Sequence, residues 1–344
     1  MQVEDRKLPG LVEALDAEGM RRRFAAVLGC SGEVQVQLLK HAPGKRCVVA
    51  YCIVRAEESR RIIGKLYRKD RGQIIFENLR QLWESAAGTS FSMAQPLAYL
   101  PELGMVLQSF VPGCRLVDLA TSEDWPAAMS KVAENLAVLH GLAVVSGEKR
   151  GMEDHLRKYC HPGPEMLITS CPESAALVET LLVGLRENKT LADAPLCAVH
   201  GDLNLAQIFI EKERAWFIDF DGFCLSHAAL DLGNFLVTLQ VHFAAQYEAL
   251  SHALLESYLH SLRRNLYRDI HVTIQQASRH SCREALANSP ATTIATRSPE
   301  MLTGLRTYQA FAYLRRAVIC ARTQATPDWR QQVQRLLEAG NALL

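Results

Sequence analysis

The chain has 344 residues, of which 49% are hydrophobic, and a formal net charge of +1 at pH 7. This length allows two domains or one large bilobal unit with an ordinary buried core. The near-neutral charge gives no electrostatic reason to expect nucleic acid as a partner. No apolar run approaches the roughly 20 residues of a membrane helix, and the first residues lack the apolar core of a signal peptide. The 10 cysteines form no C-x-x-C motif, which favours reduced thiols in a cytoplasmic protein over a zinc site or a disulfide framework.

The first third of the chain predicts a small antiparallel sheet. Helical spacing over residues 9–28 and 74–82 predicts one or two leading helices and a helix within the sheet region. The segments with alternating or β-rich sequence are predicted strands: residues 34–39, 47–54, 61–67, 95–100 and 105–110. The turn His41–Arg46 joins the first two strands as a hairpin.

The sequence changes character at Val111-Pro112-Gly113, where proline and glycine end the last of these strands. We therefore expect an N-terminal lobe over residues 1–110 and a mainly helical lobe over residues 111–344. Helical spacing marks the following segments: 125–142, 152–160, 173–185, 229–262, 267–287, 301–322 and 329–344. Residues 288–299 predict an exposed loop. The expected fold class is α+β, with a sheet lobe in front of a helical lobe.

The stretch from His200 to Asp221 carries the most chemical information (HGDLNLAQIFI, then EKERAW and FIDFD). Its two apolar segments, 208–210 and 216–218, predict strands joined by a charged turn. The order histidine-x-aspartate, an amide, then Asp-Phe is that of the catalytic and metal-binding loops of protein kinases. This order predicts a site for a metal ion and phosphate groups.

Moving a phosphoryl group to a hydroxyl requires a cation for the phosphates, bridging metal ions and a carboxylate that faces the acceptor. Asp202 is the candidate base, or the group that orients the hydroxyl. Asp219 and Gln207 are candidate Mg²⁺ ligands, since carboxylate and amide oxygens suit this hard cation, and His200 is expected to frame the loop. Each residue alone is explained as well by a turn, a strand end or the core, and only their combined order favours catalysis.

Lys65 on the predicted third strand is the candidate cation. Glu77 on the following helix is its candidate ion-pair partner, and Glu84 is the alternative. Gly44, in the first hairpin turn, could donate its backbone N–H to a phosphate. A plain hairpin turn explains Gly44 equally well.

These motifs resemble those of the aminoglycoside phosphotransferase and choline kinase-like family, within the protein kinase-like superfamily. The resemblance is carried by HGDLNLAQ and IDFD, and by Lys65 in IIGKLYRKDRG, VLQSFVPG, LAVLHGL and LDLGNFL with Asp231. It implies a kinase that uses ATP and Mg²⁺ to phosphorylate a hydroxyl of a small molecule. The family's base would then be Asp202 and its metal ligands Gln207 and Asp219, with Gln108 near the adenine in the segment 107–111.

Two positions depart from the usual family motif. Asn204 stands where the family usually has histidine, and Gln207 stands where it usually has asparagine. Glutamine keeps the carbonyl oxygen on a side chain longer by one methylene, and maltokinase-like members of the superfamily also carry glutamine there. The resemblance thus favours a working metal ligand at Gln207.

The alternative is a catalytically silent pseudokinase that binds a nucleotide or a protein partner. A protein kinase fits less well, because few residues separate Asp221 from the next helix and leave little room for an activation loop. The acceptor stays open among sugars, amino alcohols and aminoglycoside-like molecules. The oligomeric state has no signal in the sequence.

Overall fold

The computed structural model describes residues 4–56, 58–119, 124–144, 147–188, 191, 194–276 and 302–344, with the backbone alone over residues 266–276. The loop predicted over residues 288–299 and the end of the helix predicted over 267–287 lie outside these residues. The chain forms two units: Met1–Gly113 with Trp216–Asp221, and Cys114–Ala215 with Gly222–Leu344. We refer to them as the first and the second unit. The assignment of separate functions to the two parts of the chain stays a prediction.

The first unit contains the predicted antiparallel sheet of five strands. Its strands are β1 Glu33–Ala42, β2 Arg46–Arg55, β3 Glu58–Tyr67, β4 Pro96–Leu100 and β5 Met105–Ser109. They pair in the order β1-β2-β3-β5-β4, and every neighbouring pair is antiparallel. In β2 the side chains of Cys47, Val49, Tyr51 and Ile53 are buried while their neighbours are less so, because successive residues of a strand point to opposite faces.

Helices α1 Leu11–Ala14, α2 Ala17–Leu28 and α3 Arg71–Ser85 belong to the same unit. The Asp16 side chain caps α2 by accepting the N–H groups of Glu18 and Gly19, and Gly29 ends the helix at φ 63°. On the buried face of α2, the Phe24 ring meets the Tyr51 ring edge-on at 5.0 Å between centroids. This contact fastens the leading helices to the sheet.

The second unit is mainly helical, as predicted. Its helices are α4 Trp125–Gly141, α5 Met152–Tyr159, α6 Met166–Ser170, α7 Ala175–Glu187, α8 Ala229–His242, α9 Tyr247–Gln276, α10 Leu305–Thr323 and α11 Trp329–Asn341. Helix α4 packs on α9, and α10 packs on both α8 and α11. Among the described residues, no helix combines the length and the apolar character needed to cross a membrane.

The segment 229–262, which has helical spacing, is helical as predicted, but the structure divides it into two helices, α8 and α9. Phe243 leaves the helical region at φ −136° and ψ 48°. Its ring packs on Trp125 at 4.4 Å between centroids. The apolar periodicity of the sequence gives no sign of this interruption, since the half-buried Phe243 continues the apolar pattern.

Two small sets of strands flank or lie within the His200–Asp221 stretch. Strands β7 Cys197–Val199 and β10 Cys224–Ser226 pair antiparallel on either side of it. Strands β6 Cys114–Arg115, β8 Ile208–Glu211 and β9 Arg214–Phe217 form a three-stranded sheet. The predicted hairpin is therefore β8 and β9, whereas β6, β7 and β10 are too short to show a period-two pattern.

Candidate functional site

A cluster of charged side chains surrounds Lys65 in the first unit. The Lys65 Nζ lies 2.7 Å from Oδ1 of Asp219 and 3.7 Å from Oδ1 of Asp221. Arg46 approaches the same carboxylates, at 3.5 Å from Asp219 and 3.2 Å from Asp221. The Tyr67 hydroxyl donates a hydrogen bond of 2.7 Å to Asp221. We call these five residues the Lys65 cluster.

The strand register explains why the Lys65 cluster forms. Lys65 and Tyr67 are two residues apart on β3 and point to the same face, and Arg46 on β2 lies directly opposite Tyr67. The Phe217 amide bonds to the Ser92 carbonyl at 3.0 Å, which ties the chain just before Asp219 to the same unit. Asp219 itself adopts φ 69°, a left-handed conformation that costs of order 1–3 kcal/mol and is concentrated at functional sites.

Electrostatics keep the Asp219 carboxylate ionised. Burial alone would raise the pKa of Asp219, but the charges of Lys65 and Arg46 outweigh burial and hold this pKa well below its usual value. Burial and the neighbouring Asp221 charge raise the pKa of Tyr67 far above its usual range, so that its phenol stays a hydrogen-bond donor. The cluster therefore offers two carboxylates and two cations on one face of the sheet.

The expected ion pair between Lys65 and Glu77 is not made in this structure. Lys65 pairs with Asp219 instead, while Glu77 accepts a hydrogen bond from Gln73 at 2.9 Å. Glu84, the alternative partner, pairs with Arg80 at 2.6 Å. Both glutamates lie on the exposed face of α3, because its buried face is formed by Ile75, Leu79 and Leu82.

Two further residues were expected to contact a cofactor. The Gly44 N–H donates a 2.7 Å hydrogen bond to the Asp5 carboxylate, which also contacts His41 at 2.9 Å. The Gly44 N–H, which was expected to face a phosphate, is therefore bonded to Asp5. This contact fits the alternative of a plain hairpin turn. Gln108 is buried on β5 opposite Ile63, and its contact with an adenine ring stays a prediction.

In the second unit, a buried carboxylate organises the loop that carries His200 and Asp202. Asp231, in the first turn of α8, is fully buried. It accepts the backbone N–H groups of His200 at 2.7 Å and Gly201 at 2.8 Å. His140 from α4 approaches the same carboxylate at 3.3 Å and is itself held by the Tyr258 hydroxyl at 2.7 Å. Asp231 therefore fixes the backbone on which Asp202 stands.

The environment of Asp231 favours its ionised form. Burial raises the pKa of this carboxyl, but the hydrogen bond from His140, the charges of His140 and His200 and the His200 backbone N–H together bring the pKa below its usual value. A charged carboxylate accepts stronger hydrogen bonds than a neutral group does. The loop is thus tied by charge-assisted bonds inside the core.

Glycine is required at position 201. Its φ is 82°, and a Cβ there would lie 2.4 Å from the Gly222 carbonyl oxygen. A side chain at this position would therefore meet the backbone of Gly222. The His200 ring is fully buried and its Nδ1 accepts the Asp202 N–H at 3.4 Å, as expected of a residue that frames the loop.

Asp202 faces a cavity of about 940 Å³ in the second unit. Its carboxylate pairs with Arg315 of α10. The Arg315 guanidinium lies over the Tyr159 ring, 4.7 Å from the centroid. The cavity is of the size of small-molecule sites, so Asp202 is placed where it could meet a bound small molecule.

Gln207 closes a short turn after Asp202. It ends the 3₁₀ turn Leu205–Gln207, and its Oε1 accepts the Asn204 N–H at 3.1 Å. The Asn204 side chain in return accepts the Ala206 N–H at 3.0 Å. The two unusual residues of the motif therefore cap the same turn. An amide oxygen has two lone pairs, and of the described residues only Asn204 donates to this oxygen, which leaves one acceptor position that a metal ion could use.

Several residues of the site were missed by sequence reasoning. Arg46, Tyr67 and Asp221 received no role, although the strand pairing brings them to Asp219. Asp231 was noted only as part of a family-like motif, and Arg315 carried no signal at all. Their contacts join segments more than a hundred residues apart, except for Asp231, and no local pattern encodes such distances.

Comparisons with known proteins support the family resemblance and the fold. The model of the phosphotransferase enzyme family matches residues 52–266, which is more than half of the chain. No curated protein matches the chain.

Solved structures share the fold at low sequence identity. Amicoumacin kinase hAmiN, solved with AMP-PNP, Ca²⁺ and Ami, has a TM-score of 0.60 at 15% identity, over 96% of this chain and 95% of that one. A thermostable mutant of aminoglycoside phosphotransferase APH(4)-Ia, in a ternary complex with AMP-PNP and hygromycin B, has a TM-score of 0.58 at 14% identity, over 94% and 99%.

Choline kinase from Cryptosporidium parvum Iowa II has a TM-score of 0.56 at 12% identity, over 90% of this chain and 88% of that one. At such identities the likeness establishes the fold, and the family follows from the sequence match. The bilobal kinase-like fold class and the resemblance to aminoglycoside and choline kinases are thus confirmed. The chain belongs to the phosphotransferase enzyme family.

Proposed function

We propose that the protein is an ATP-dependent kinase that transfers the γ-phosphoryl group to a hydroxyl of a small molecule. The observation that carries the proposal is the position of Asp202, which lies on a loop fixed by the buried Asp231 and faces a cavity of about 940 Å³. Family membership supplies the reaction class, and structural neighbours that bind AMP-PNP support ATP as the donor.

Lys65 and Arg46 are the residues that we propose to hold the phosphates of ATP. Both cations already lie beside carboxylates on one face of the sheet, and guanidinium and ammonium groups bind phosphate oxygens well. We propose Asp219 and Gln207 as Mg²⁺ ligands, and Gln108 as a contact of the adenine.

The donor chemistry of these residues fits Mg²⁺. Among the described residues no group of three or more His, Cys, Asp or Glu side chains forms a complete metal site. One or two carboxylates with phosphate and water oxygens is the usual ligand set of Mg²⁺, and Asp219 with its neighbour Asp221 supplies the carboxylates. When bound, Mg²⁺ would neutralise charge on the phosphates and orient the transferred group.

Asp202 would act on the acceptor. Its carboxylate would accept a hydrogen bond from the acceptor hydroxyl, and take the proton as the oxygen–phosphorus bond forms and the bond to the leaving ADP oxygen breaks. Arg315, which pairs with Asp202 in this structure, would have to share the carboxylate with the hydroxyl. Gly201 and Asp231 would keep the Asp202 backbone in place during this exchange.

A coupled ADP-release screen over hydroxylated metabolites tests the proposal. With the true acceptor, we expect release by the wild-type protein and a loss on the order of 10²-fold or more in Asp202→Ala. The control is Asp124→Asn, an exposed carboxylate ahead of α4 whose side chain makes no capping hydrogen bond, which should keep the wild-type rate. A wild-type rate in Asp202→Ala would remove Asp202 from the reaction.

A silent nucleotide-binding protein is the alternative function. It is favoured by one observation, that the Gln207 oxygen is already bonded to the Asn204 N–H. Thermal shift with ATP separates the two functions. Stabilisation that requires Mg²⁺ supports a working site, whereas stabilisation independent of Mg²⁺ supports the silent alternative.

A further inference from the structure

The cavity beside Asp202 has a basic lining. Among the described residues that line it, Asp202 is the only one with a carboxylate, whereas three are arginines: Arg315, Arg316 and Arg335. Arg315 is neutralised by its pair with Asp202. The other two arginines therefore give the cavity a net positive charge.

Arg316 is half-buried, like Arg315, whereas Arg335 is exposed. It neighbours Arg315 on α10 and donates a 3.1 Å hydrogen bond to the Thr238 hydroxyl of α8. Among the described residues, no carboxylate lies within 4.0 Å of its guanidinium. A guanidinium has five N–H donors, and a single hydroxyl leaves most of them for a bound molecule.

Asn234 adds a second donor to the same cavity. It lies one helical turn before Thr238 on α8, lines the cavity and is 4% exposed. Its Nδ2 has no hydrogen-bond partner among the described residues. A buried polar group without a partner is costly, and an acceptor atom of a bound molecule would satisfy it.

We infer that the acceptor is an anionic alcohol, whose carboxylate or phosphate group binds to Arg316 and the Asn234 amide while its hydroxyl faces Asp202. The inference rests on the proposed function and narrows its substrate class. An oxyanion accepts hydrogen bonds only, which matches two groups that only donate here. It would also form the paired bonds that a guanidinium makes with carboxylates and phosphates.

The same charges disfavour a cationic acceptor. An ammonium group in this cavity would find one carboxylate, Asp202, already paired with Arg315, and would face Arg316 without a compensating anion. Like charges brought together in a partly desolvated site repel each other. Amino alcohols and aminoglycosides, which the sequence left open, are therefore expected to bind poorly.

The test is thermal shift of the whole 344-residue chain saturated with AMP-PNP and Mg²⁺, so that phosphate already occupies the nucleotide site. The probes are glycerate, glycerol phosphate, glycerol and aminopropanediol, which share a carbon skeleton and differ in charge, and inorganic sulfate. We expect the anions to raise the melting temperature of the wild-type protein. The glycerate and glycerol phosphate arms distinguish a carboxylate from a phosphate.

In Arg316→Gln the apparent affinity for the anion should fall about tenfold to hundredfold. Arg316→Lys, which keeps the charge, should recover part of it. Arg322→Gln is the matched control, because Arg322 is exposed on the same helix and does not line the cavity; it should behave like the wild-type protein. Stabilisation by aminopropanediol alone, no effect of any anion, or an equal anion effect in Arg316→Gln would overturn the inference.

The AMP-PNP shift, measured first, separates this inference from the proposed function. If AMP-PNP with Mg²⁺ does not stabilise the protein, the proposed function fails. The anion titration is then carried out in a Lys65→Met background, which removes the other candidate phosphate-binding cation. Anion stabilisation that is lost on adding Arg316→Gln would still identify an anion site at Arg316. If AMP-PNP binds and the anions do not, only the substrate class is wrong.

Discussion

Replacing Asp231 by asparagine should destabilise the second unit strongly. The carboxylate accepts the His200 and Gly201 N–H groups at 2.7 and 2.8 Å, and His140 lies at 3.3 Å. An asparagine can offer its carbonyl to one backbone N–H but turns an NH₂ group towards the other. One charge-assisted bond is worth about 1.5–3 kcal/mol, and breaking a buried charged network typically costs about 3–5 kcal/mol.

Urea denaturation at neutral pH measures this loss, and we expect about 3–5 kcal/mol less unfolding free energy in Asp231→Asn. The Asp124→Asn control should stay within about 0.5 kcal/mol of the wild-type protein. A loss under about 1 kcal/mol in Asp231→Asn would refute the view that Asp231 holds the loop.

The loss should also depend on pH. The pKa of Asp231 is lower in the folded protein than its usual value of 3.8. Its contribution to stability is therefore fully present above that value and is lost as the pH falls through the lower, folded pKa. The difference between the wild-type protein and Asp231→Asn should narrow below about pH 4, and a difference that widens there would contradict the assignment.

Two other substitutions test the remaining parts of the site. Lys65→Met removes the cation that lies 2.7 Å from Asp219 and that we propose to hold the phosphates. In thermal shift, ATP with Mg²⁺ should therefore no longer stabilise the variant. An unchanged shift would exclude Lys65 from the nucleotide site. Gly201→Ala adds a Cβ 2.4 Å from the Gly222 oxygen, and a left-handed backbone conformation costs a residue with a Cβ roughly 1–2 kcal/mol. We therefore expect the unfolding free energy in urea to fall by about 2 kcal/mol or more. Wild-type stability in Gly201→Ala would show that the loop relaxes freely.

Local patterns were sufficient for most of the longer helices and strands and for the core of the motif, but not for the short strands β6, β7 and β10. The β-rich run 47–54 forms strand β2 as predicted, and HGDLNLAQ places its glycine where the backbone needs a positive φ. The α10 and α11 helices likewise follow the predicted segments 301–322 and 329–344, although α10 begins four residues later and α11 ends three residues earlier than predicted. Such features depend on neighbours in the chain, which the sequence displays.

The expected ion pair between Lys65 and Glu77 is not formed, and the sequence of α3 explains why. The expectation took the pair from the general kinase pattern rather than from the phase of α3. Ile75, Leu79 and Leu82 form the buried stripe of this helix, and Glu77 falls between them on the exposed side. The helical phase was present in the sequence, and it places Glu77 away from the sheet.

Other contacts could not be predicted, because their partners are far apart in the chain. Arg46 and Asp221 are 175 residues apart, and Arg315 and Asp202 are 113 apart. A lone arginine on a strand or helix is most often a solvated surface residue. Only the folded chain shows that these two arginines meet the aspartates of the motif.

The central claim, that Asp202 serves transfer of phosphate from ATP to a small-molecule hydroxyl, is tested most directly by following the product. ATP labelled in its γ-phosphate is incubated with the accepted alcohol, and labelled acceptor is quantified by mass spectrometry for the wild-type protein and Asp202→Asn. We predict label on the acceptor oxygen with the wild-type protein, and a rate lower by on the order of 10²-fold or more in the variant. Equal labelling by both proteins, or label found only in inorganic phosphate, would contradict the claim.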